Sequence, residues 1–262
     1  MRMVERALVL GSAGSMGQRR VRALLGLDVE VAGLDPKLSD TVQLDVAPAA
    51  SLRAAVDLQP DVVFVCTPAR RHMLDAALLL AAGYRGPLFV EKPLALTPAE
   101  CEVFRAWPSP VQHVGYNWRW HAGLQEALQS ATRRVDFTCW TDMATWPGAG
   151  YGPPLLECSH EIDQALRLGA DLVAAHQVGG GLRLHFAGPV LQVAIDLRWA
   201  WPETRRTVQI DGRQVCRLDL ETALEQSYVD ETVAFFADPE DRVPFRHGAA
   251  VVELCAPYTG LP

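Results

Sequence analysis

The stretch Ala7-Leu8-Val9-Leu10-Gly11-Ser12-Ala13-Gly14-Ser15-Met16-Gly17, ALVLGSAGSMG, decides how the first half of this chain is read. A short apolar run stops at a glycine, two more glycines follow at intervals of three, and Met16, Val21, Leu24 and Leu25 then recur at roughly helical spacing. The pattern predicts a strand, a tight turn and a helix. In such a turn the missing side chains let backbone N–H groups approach an anion at the positive end of the helix, so a dinucleotide is its natural ligand. The spacing is GxxGxxG rather than GxGxxG, and Ser12 takes the first glycine position if Gly14 and Gly17 are the second and third. Gly11, Ser12, Ala13, Gly14, Ser15 and Met16 are therefore the candidate cofactor loop, the plain alternative being an ordinary tight turn.

Further strands are expected at residues 29–34, 61–66, 87–90 and 111–115, with a helix over 71–82. Unalternating apolar strands joined by helices predict a parallel sheet covered on both faces. Asp35 ends the second strand, eighteen residues after Gly17, where an acid accepts hydrogen bonds from the adenosine ribose and repels a 2′-phosphate. NAD is thus favoured; Lys37 keeps NADP open, and Asp35-Pro36 also reads as a cap or turn. Ligands of open parallel sheets bind outside the carboxyl ends of the strands, which places Thr67 and Pro68 at the same edge. His72 reads as lining that crevice or, more readily, as a helix start. Phe89-Val90-Glu91-Lys92-Pro93 ends a strand in charge at that edge too, and Glu91 and Lys92 join the cofactor candidates. Lys92 beside a nicotinamide is suited to donate to a substrate oxygen. Burial would lower its pKa, and Glu91 would oppose that shift. The alternative is a solvated Glu-Lys turn before a helix capped by Thr97-Pro98-Ala99-Glu100.

After residue 134 the grammar changes. Strand-like runs at 135–141, 172–178, 182–186, 190–199, 207–210 and 215–218 are separated by hairpin signals at Gly179-Gly180-Gly181, Gly188-Pro189 and Asp211-Gly212. The fold class expected is an α/β Rossmann domain followed by an α+β domain with an open, mostly antiparallel sheet. The boundary lies in the 116–122 region, giving 1–118 for dinucleotide binding and 119–262 for substrate binding and dimerisation.

Composition narrows the classes. With 49% hydrophobic residues a sizeable core is available, and a net charge of −7 without any long basic run argues against nucleic acid. The longest apolar stretch, 73–83, is too short to span a membrane and no export signal is read, so a cytoplasmic protein is expected. The six cysteines are dispersed without a CxxC pair, which suggests reduced thiols rather than a disulfide framework or zinc knuckle.

In Glu157-Cys158-Ser159-His160-Glu161-Ile162-Asp163 a helix begins, and His160 and Asp163 can share one of its faces. A histidine is suited to take a hydroxyl proton as hydride leaves, with the carboxylate orienting it. The plain alternative makes Ser159 a helix cap and Glu161 a first-turn acid. No metal is expected, since Glu157, His160 and Asp163 lack a second histidine. Trp146 and Tyr151, in the loop before His160, are the aromatic residues placed nearest a substrate.

Residues 62–68 with His72, Phe89-Val90-Glu91-Lys92-Pro93-Leu94-Ala95 with Thr97, and Val114-Gly115-Tyr116-Asn117-Trp118-Arg119 resemble the Gfo/Idh/MocA family, named for glucose-fructose oxidoreductase and inositol dehydrogenase. The resemblance covers nearly the whole chain. It implies an NAD(P)-dependent dehydrogenase or reductase acting on a sugar, sugar nucleotide or cyclitol, with its active site between a Rossmann domain and an open sheet. It further implies Lys92 as catalytic or substrate-binding residue before an often cis Pro93, Asn117 and Arg119 near the nicotinamide, and His160 as general acid/base and substrate contact. Glu157 stands three residues before His160 where family members commonly have aspartate three or four back. A homodimer or dimer of dimers through the sheet is also implied. The altered acid and the short chain leave a noncatalytic dinucleotide sensor open as an alternative, and related folds leave an imine or enone reductase.

Overall fold

The computed structural model describes residues 4–36, 47–142, 154–217, 222–237 and 239–258. It divides into two units, Met1–Tyr116 with Tyr228–Ala256, and Asn117–Ser227 with Pro257–Pro262. The division after residue 116 is close to the expected one after 118. The expected uninterrupted run from 119 to 262 differs from what is found, because residues 228–256 return to the first unit.

In chain order the first unit contains β1 (Arg6–Leu10), α1 (Ser15–Leu25), β2 (Glu30–Leu34), β3 (Ala47–Pro48), α2 (Leu52–Asp57), β4 (Val62–Val65), α3 (His72–Ala81), β5 (Leu88–Glu91), α4 (Pro98–Arg105) and β6 (Gln112–Gly115). The strands form one parallel sheet in the order β3-β2-β1-β4-β5-β6. Strand order reverses between β1 and β4, the switch point at which doubly wound sheets bind ligands. β4 and β5 are buried along their whole length, as an apolar run covered on both faces requires. Phe64 and Phe89 stack with ring centroids 4.8 Å apart in the core. The return segment completes this core: the Phe235 ring meets Phe64 and Phe89 edge-on, and Val114 donates its N–H to the Val243 carbonyl at 2.9 Å. The expected cap before α4 is present, Thr97 Oγ1 accepting from the Glu100 N–H and Glu100 accepting from the Leu96 N–H.

The second unit contains α5 (Ala122–Gln129), β7 (Arg134–Asp142), α6 (Pro154–Glu157), α7 (Ser159–Arg167), β8 (Asp171–Val178), β9 (Gly181–Ala187), β10 (Gln192–Arg198), β11 (Ala200–Ile210) and β12 (Arg213–Arg217). Its sheet runs β12-β11-β7-β10-β9-β8, antiparallel except where β7 and β10 pair in parallel. The Asp211-Gly212 turn has φ of 49° and 85°, the left-handed pair that a two-residue hairpin of matching twist demands. After it come α8 (Thr222–Ala237) and α9 (Phe245–Cys255). The short α5, α8 and α9 were not singled out from the sequence. No helix among the described residues is long and apolar enough to cross a membrane.

Candidate active site

The glycines after β1 are set by contact distances. Gly11 has φ 77°, and a Cβ there would lie 2.8 Å from the Cys66–Thr67 backbone. At Gly17 a Cβ would lie 2.0 Å from the Gly11 carbonyl oxygen, so only glycine lets α1 start directly on the turn. The first turn of α1 has no capping side chain and no acid, and Gly14 and Ser15 are exposed; this end of the helix suits an anion. Ser12 is buried and its Oγ makes no hydrogen bond among the described residues. Ser15 accepts from Arg19 at 2.6 Å, and Met16 packs on the core. The Ala13 N–H donates to Asp35 Oδ2 at 3.2 Å, tying the acid at the end of β2 to the turn. A backbone cradle with an acid beside it fits a dinucleotide pyrophosphate and ribose.

Leu10 is in register with Leu34 and Val65, and Val65 with Val90, so Gly11, Asp35, Thr67, Pro68 and Lys92 follow adjacent strand ends on one edge. Thr67 Oγ1 donates to Asp75 at 2.6 Å, and Arg71 holds the other carboxylate oxygen at 2.9 Å. The Lys92-Pro93 peptide is cis, and Lys92 is half-buried. His72 is the first residue of α3, but its buried ring also spans two loops: Nδ1 lies 2.9 Å from the Pro93 carbonyl and Nε2 2.8 Å from that of Thr67. Burial pushes its pKa down against the pull of both carbonyls, and a neutral ring donates to only one of them at a time.

The Glu91 side chain departs from expectation. It is neither in the crevice nor in a solvated turn; it is buried against Arg20, whose Nε donates to Glu91 Oε1 at 2.7 Å. Arg20 is fully buried and also bonds Glu231, the Tyr228 carbonyl at 3.1 Å and Thr232 Oγ1 at 3.3 Å. His113 Nε2 sits 3.1 Å from Glu231. Burial works against the Arg20 charge, but the two carboxylates more than offset it and raise its pKa. Burial also raises Glu91, because the facing Glu231 adds to desolvation and Arg20 serves both acids.

In the second unit, Asn117 is buried and donates to Ser227 Oγ at 2.7 Å, which places its side chain in the packing. The Arg119 guanidinium meets Asp163 through a fork, with Nε 3.0 Å from Oδ2 and a terminal nitrogen 2.5 Å from Oδ1. Asp163, read as the orienting carboxylate for His160, thus holds Arg119. His160 is buried and stacks on Trp118 with centroids 4.9 Å apart and planes 12° from parallel. Glu157 ends α6 half-buried, and its carbonyl accepts from Arg206 at 3.4 Å. Ser159, the cap of the plain alternative, is instead the first residue of α7, and its buried Oγ makes no hydrogen bond among the described residues. Lys37, Trp146 and Tyr151 lie outside the described residues.

Residues 6–106 match the family model described as Gfo/Idh/MocA, oxidoreductase family, NAD-binding Rossmann fold. Over this segment the chain is similar to the Gfo/Idh/MocA family. A search of curated proteins finds no match. Among solved structures the fold is shared with the WlbA (WbpB) dehydrogenase from Thermus thermophilus in complex with NAD and UDP-GlcNAcA, at TM-score 0.73 and 18% identity over 98% of this chain and 95% of that one. It is also shared with the UDP-N-acetylglucosamine 3-dehydrogenase GnnA from Acidithiobacillus ferrooxidans, at 0.68 and 18% over 97% and 96%. A myo-inositol 2-dehydrogenase from Lactobacillus plantarum matches at 0.71 and 15% over 97% and 96%.

Arg20 and the bridging role of His72 in the first unit were not read from the sequence. Arg20 shares the buried face of α1 with Gly17, Val21 and Leu24, and a charge on an otherwise apolar helical stripe was the signal available. His72 was placed at a helix start, and its bridging role gave no such signal because its two carbonyl partners are brought to it from the ends of separate strands.

Proposed function

We propose that this protein is an NAD-dependent oxidoreductase acting on a secondary alcohol or ketone of a sugar, sugar nucleotide or cyclitol. The observation that carries the reading is the edge of the parallel sheet, where a glycine cradle, the Asp35 carboxylate and Lys92 follow adjacent strands of a Gfo/Idh/MocA domain. Gly11 to Met16 would hold the pyrophosphate and Asp35 the ribose, and the bound nicotinamide supplies hydride transfer to or from carbon. Lys92 is assigned to donate to the substrate oxygen and stabilise its alkoxide character. His72, by bridging the Thr67 and Pro93 carbonyls, fixes the backbone that carries Lys92. His160 is assigned to move the hydroxyl proton, with Trp118 fixing its ring plane and Glu157 as the nearby acid. Arg119, held by Asp163, is kept as a substrate contact through its outer edge. Neighbours of the same fold, one in complex with UDP-GlcNAcA and one a myo-inositol 2-dehydrogenase, support the carbohydrate class. The five free cysteines among the described residues suit a reducing cytoplasm.

Calorimetric titration with NADH and NADPH, followed by turnover of a panel of sugar nucleotides and inositols, tests the reading. Binding of NADH and about a hundredfold loss of kcat in Lys92→Ala are expected, the scale of removing one transition-state donor. Failure to bind either dinucleotide sinks it.

A further inference from the structure

The second unit contains a buried group that this chemistry does not use. Cys139 is on the inward face of β7, in line with Val135 and Phe137, and Cys158 is the N-cap residue immediately before α7. Both are buried, and their Sγ atoms are 3.1 Å apart. The cross-strand partner of Cys139 on β11 is Arg206. Glu161, in the first turn of α7, is buried with a carboxylate oxygen within 4.8 Å of both sulfurs.

Sulfur separation and charge together bear on the use of this group. Two thiolates on a tetrahedral zinc at about 2.3 Å stand about 3.8 Å apart, whereas a disulfide needs about 2.05 Å. The observed 3.1 Å lies between these two, and it is the Arg206 cation facing the pair that disfavours a divalent metal. The hydrogen bond from the Cys158 thiol, helped by Arg206, overcomes burial and brings Cys139 down to about 6. The same hydrogen bond and burial push Cys158 up, and burial with the facing Cys139 pushes Glu161 well above the carboxylate range. The directions of these shifts favour the thiolate on Cys139, facing Arg206, and protons on Cys158 and Glu161.

We propose that Cys139 and Cys158 are a redox-active dithiol, closed by hydrogen peroxide to a disulfide that ties the start of α7 to β7. The Cys139 thiolate attacks one peroxide oxygen and the O–O bond breaks. Glu161 gives its proton to the departing hydroxide, leaving Cys139 sulfenic acid, water and a Glu161 carboxylate. The Cys158 thiol then displaces the sulfenic hydroxyl as a second water. Two thiols are oxidised and one peroxide is reduced by the same two electrons. Arg206 is never left without a counter-charge, because Glu161 takes over from Cys139. Closure draws the sulfurs together by about 1 Å. His160 is two residues beyond Cys158, and its stacking partner Trp118 lies under Arg206 at 5.6 Å, so the move reaches the histidine. Control of turnover rests on the role proposed for His160; the disulfide does not.

The test treats the reduced full-length protein with peroxide, blocks remaining thiols with iodoacetamide and maps peptides by mass spectrometry. Two of the six thiols should disappear, in one cross-linked peptide pair containing 139 and 158, restored by dithiothreitol. Cys66, Cys101 and Cys255 should stay reduced, since burial pushes all three thiols up. Cys158→Ser should halt at a Cys139 sulfenic acid captured by dimedone, and Arg206→Met should slow the reaction at least tenfold at pH 7. NADH affinity, a property of the first unit, should be unchanged by oxidation. A full set of thiols after peroxide, preferential oxidation elsewhere, or stoichiometric zinc bound to the purified protein overturns the proposal. None of these results depends on whether a sugar substrate is found.

Discussion

Replacing Arg20 by methionine keeps most of the side-chain bulk over Phe89, whose ring lies 4.4 Å from the guanidinium carbon, but removes the cation shared by Glu91 and Glu231. Glu231 keeps His113 as a partner, so the group exposed to the full consequence is Glu91. To stay buried it must be protonated, and each pH unit above its ordinary 4.5 then costs about 1.4 kcal/mol. At pH 7 that is up to about 3.4 kcal/mol, falling to about 1.4 kcal/mol at pH 5.5, in line with the general cost of breaking a buried pair. A raised folded pKa means the folded state binds a proton that the unfolded state releases, so the variant loses stability as pH rises from 4.5 towards that pKa. Urea denaturation followed by far-UV circular dichroism at pH 5.5 and 7 reads this directly. The Arg20→Met/Glu91→Gln double variant should recover much of the loss and most of its pH dependence. A deficit below about 1 kcal/mol at pH 7, or one equal at both pH values, refutes the assignment of the buried charge.

Gly17→Ala must displace the turn, since its Cβ would lie 2.0 Å from the Gly11 oxygen; NADH affinity measured by calorimetry should fall at least tenfold, and unchanged binding would remove this turn from the cofactor site. His72→Phe leaves the Thr67 and Pro93 carbonyls without their ring partner and should cost about 1–3 kcal/mol in denaturant titrations, with kcat falling more than KM rises. Asp211 accepts from Thr132 Oγ1 at 2.8 Å and from the Arg134 N–H at 2.9 Å, and these bonds lower its pKa. Its contribution is present above the ordinary value of 3.8 and lost as pH falls through the lowered one, so Asp211→Asn, which tolerates the left-handed backbone, should narrow its gap to wild type in acid. Parallel acid titrations of the two proteins would contradict this.

What the sequence by itself determined was local and periodic. The apolar run into Gly11, the helical stripe after it, the buried β4 and β5 and the Asp211-Gly212 hairpin are properties of neighbouring residues, and they specify the parallel and mostly antiparallel sheets. Strand ends in a parallel sheet share an edge, so Gly11, Asp35, Thr67 and Lys92 could be placed together before any coordinate. Tertiary structure decided the partners. Glu91 reads locally as a solvated strand-end charge, yet its counter-ion comes from α1, 71 residues away, and Arg20 in turn reaches 211 residues forward to Glu231. Cys139 and Cys158 carry no pairing motif, and only the meeting of β7 with the start of α7 brings them to 3.1 Å. Periodicity says which face of an element is buried, whereas the charge state of a buried group is set by whichever atoms the fold brings within a few ångströms of it.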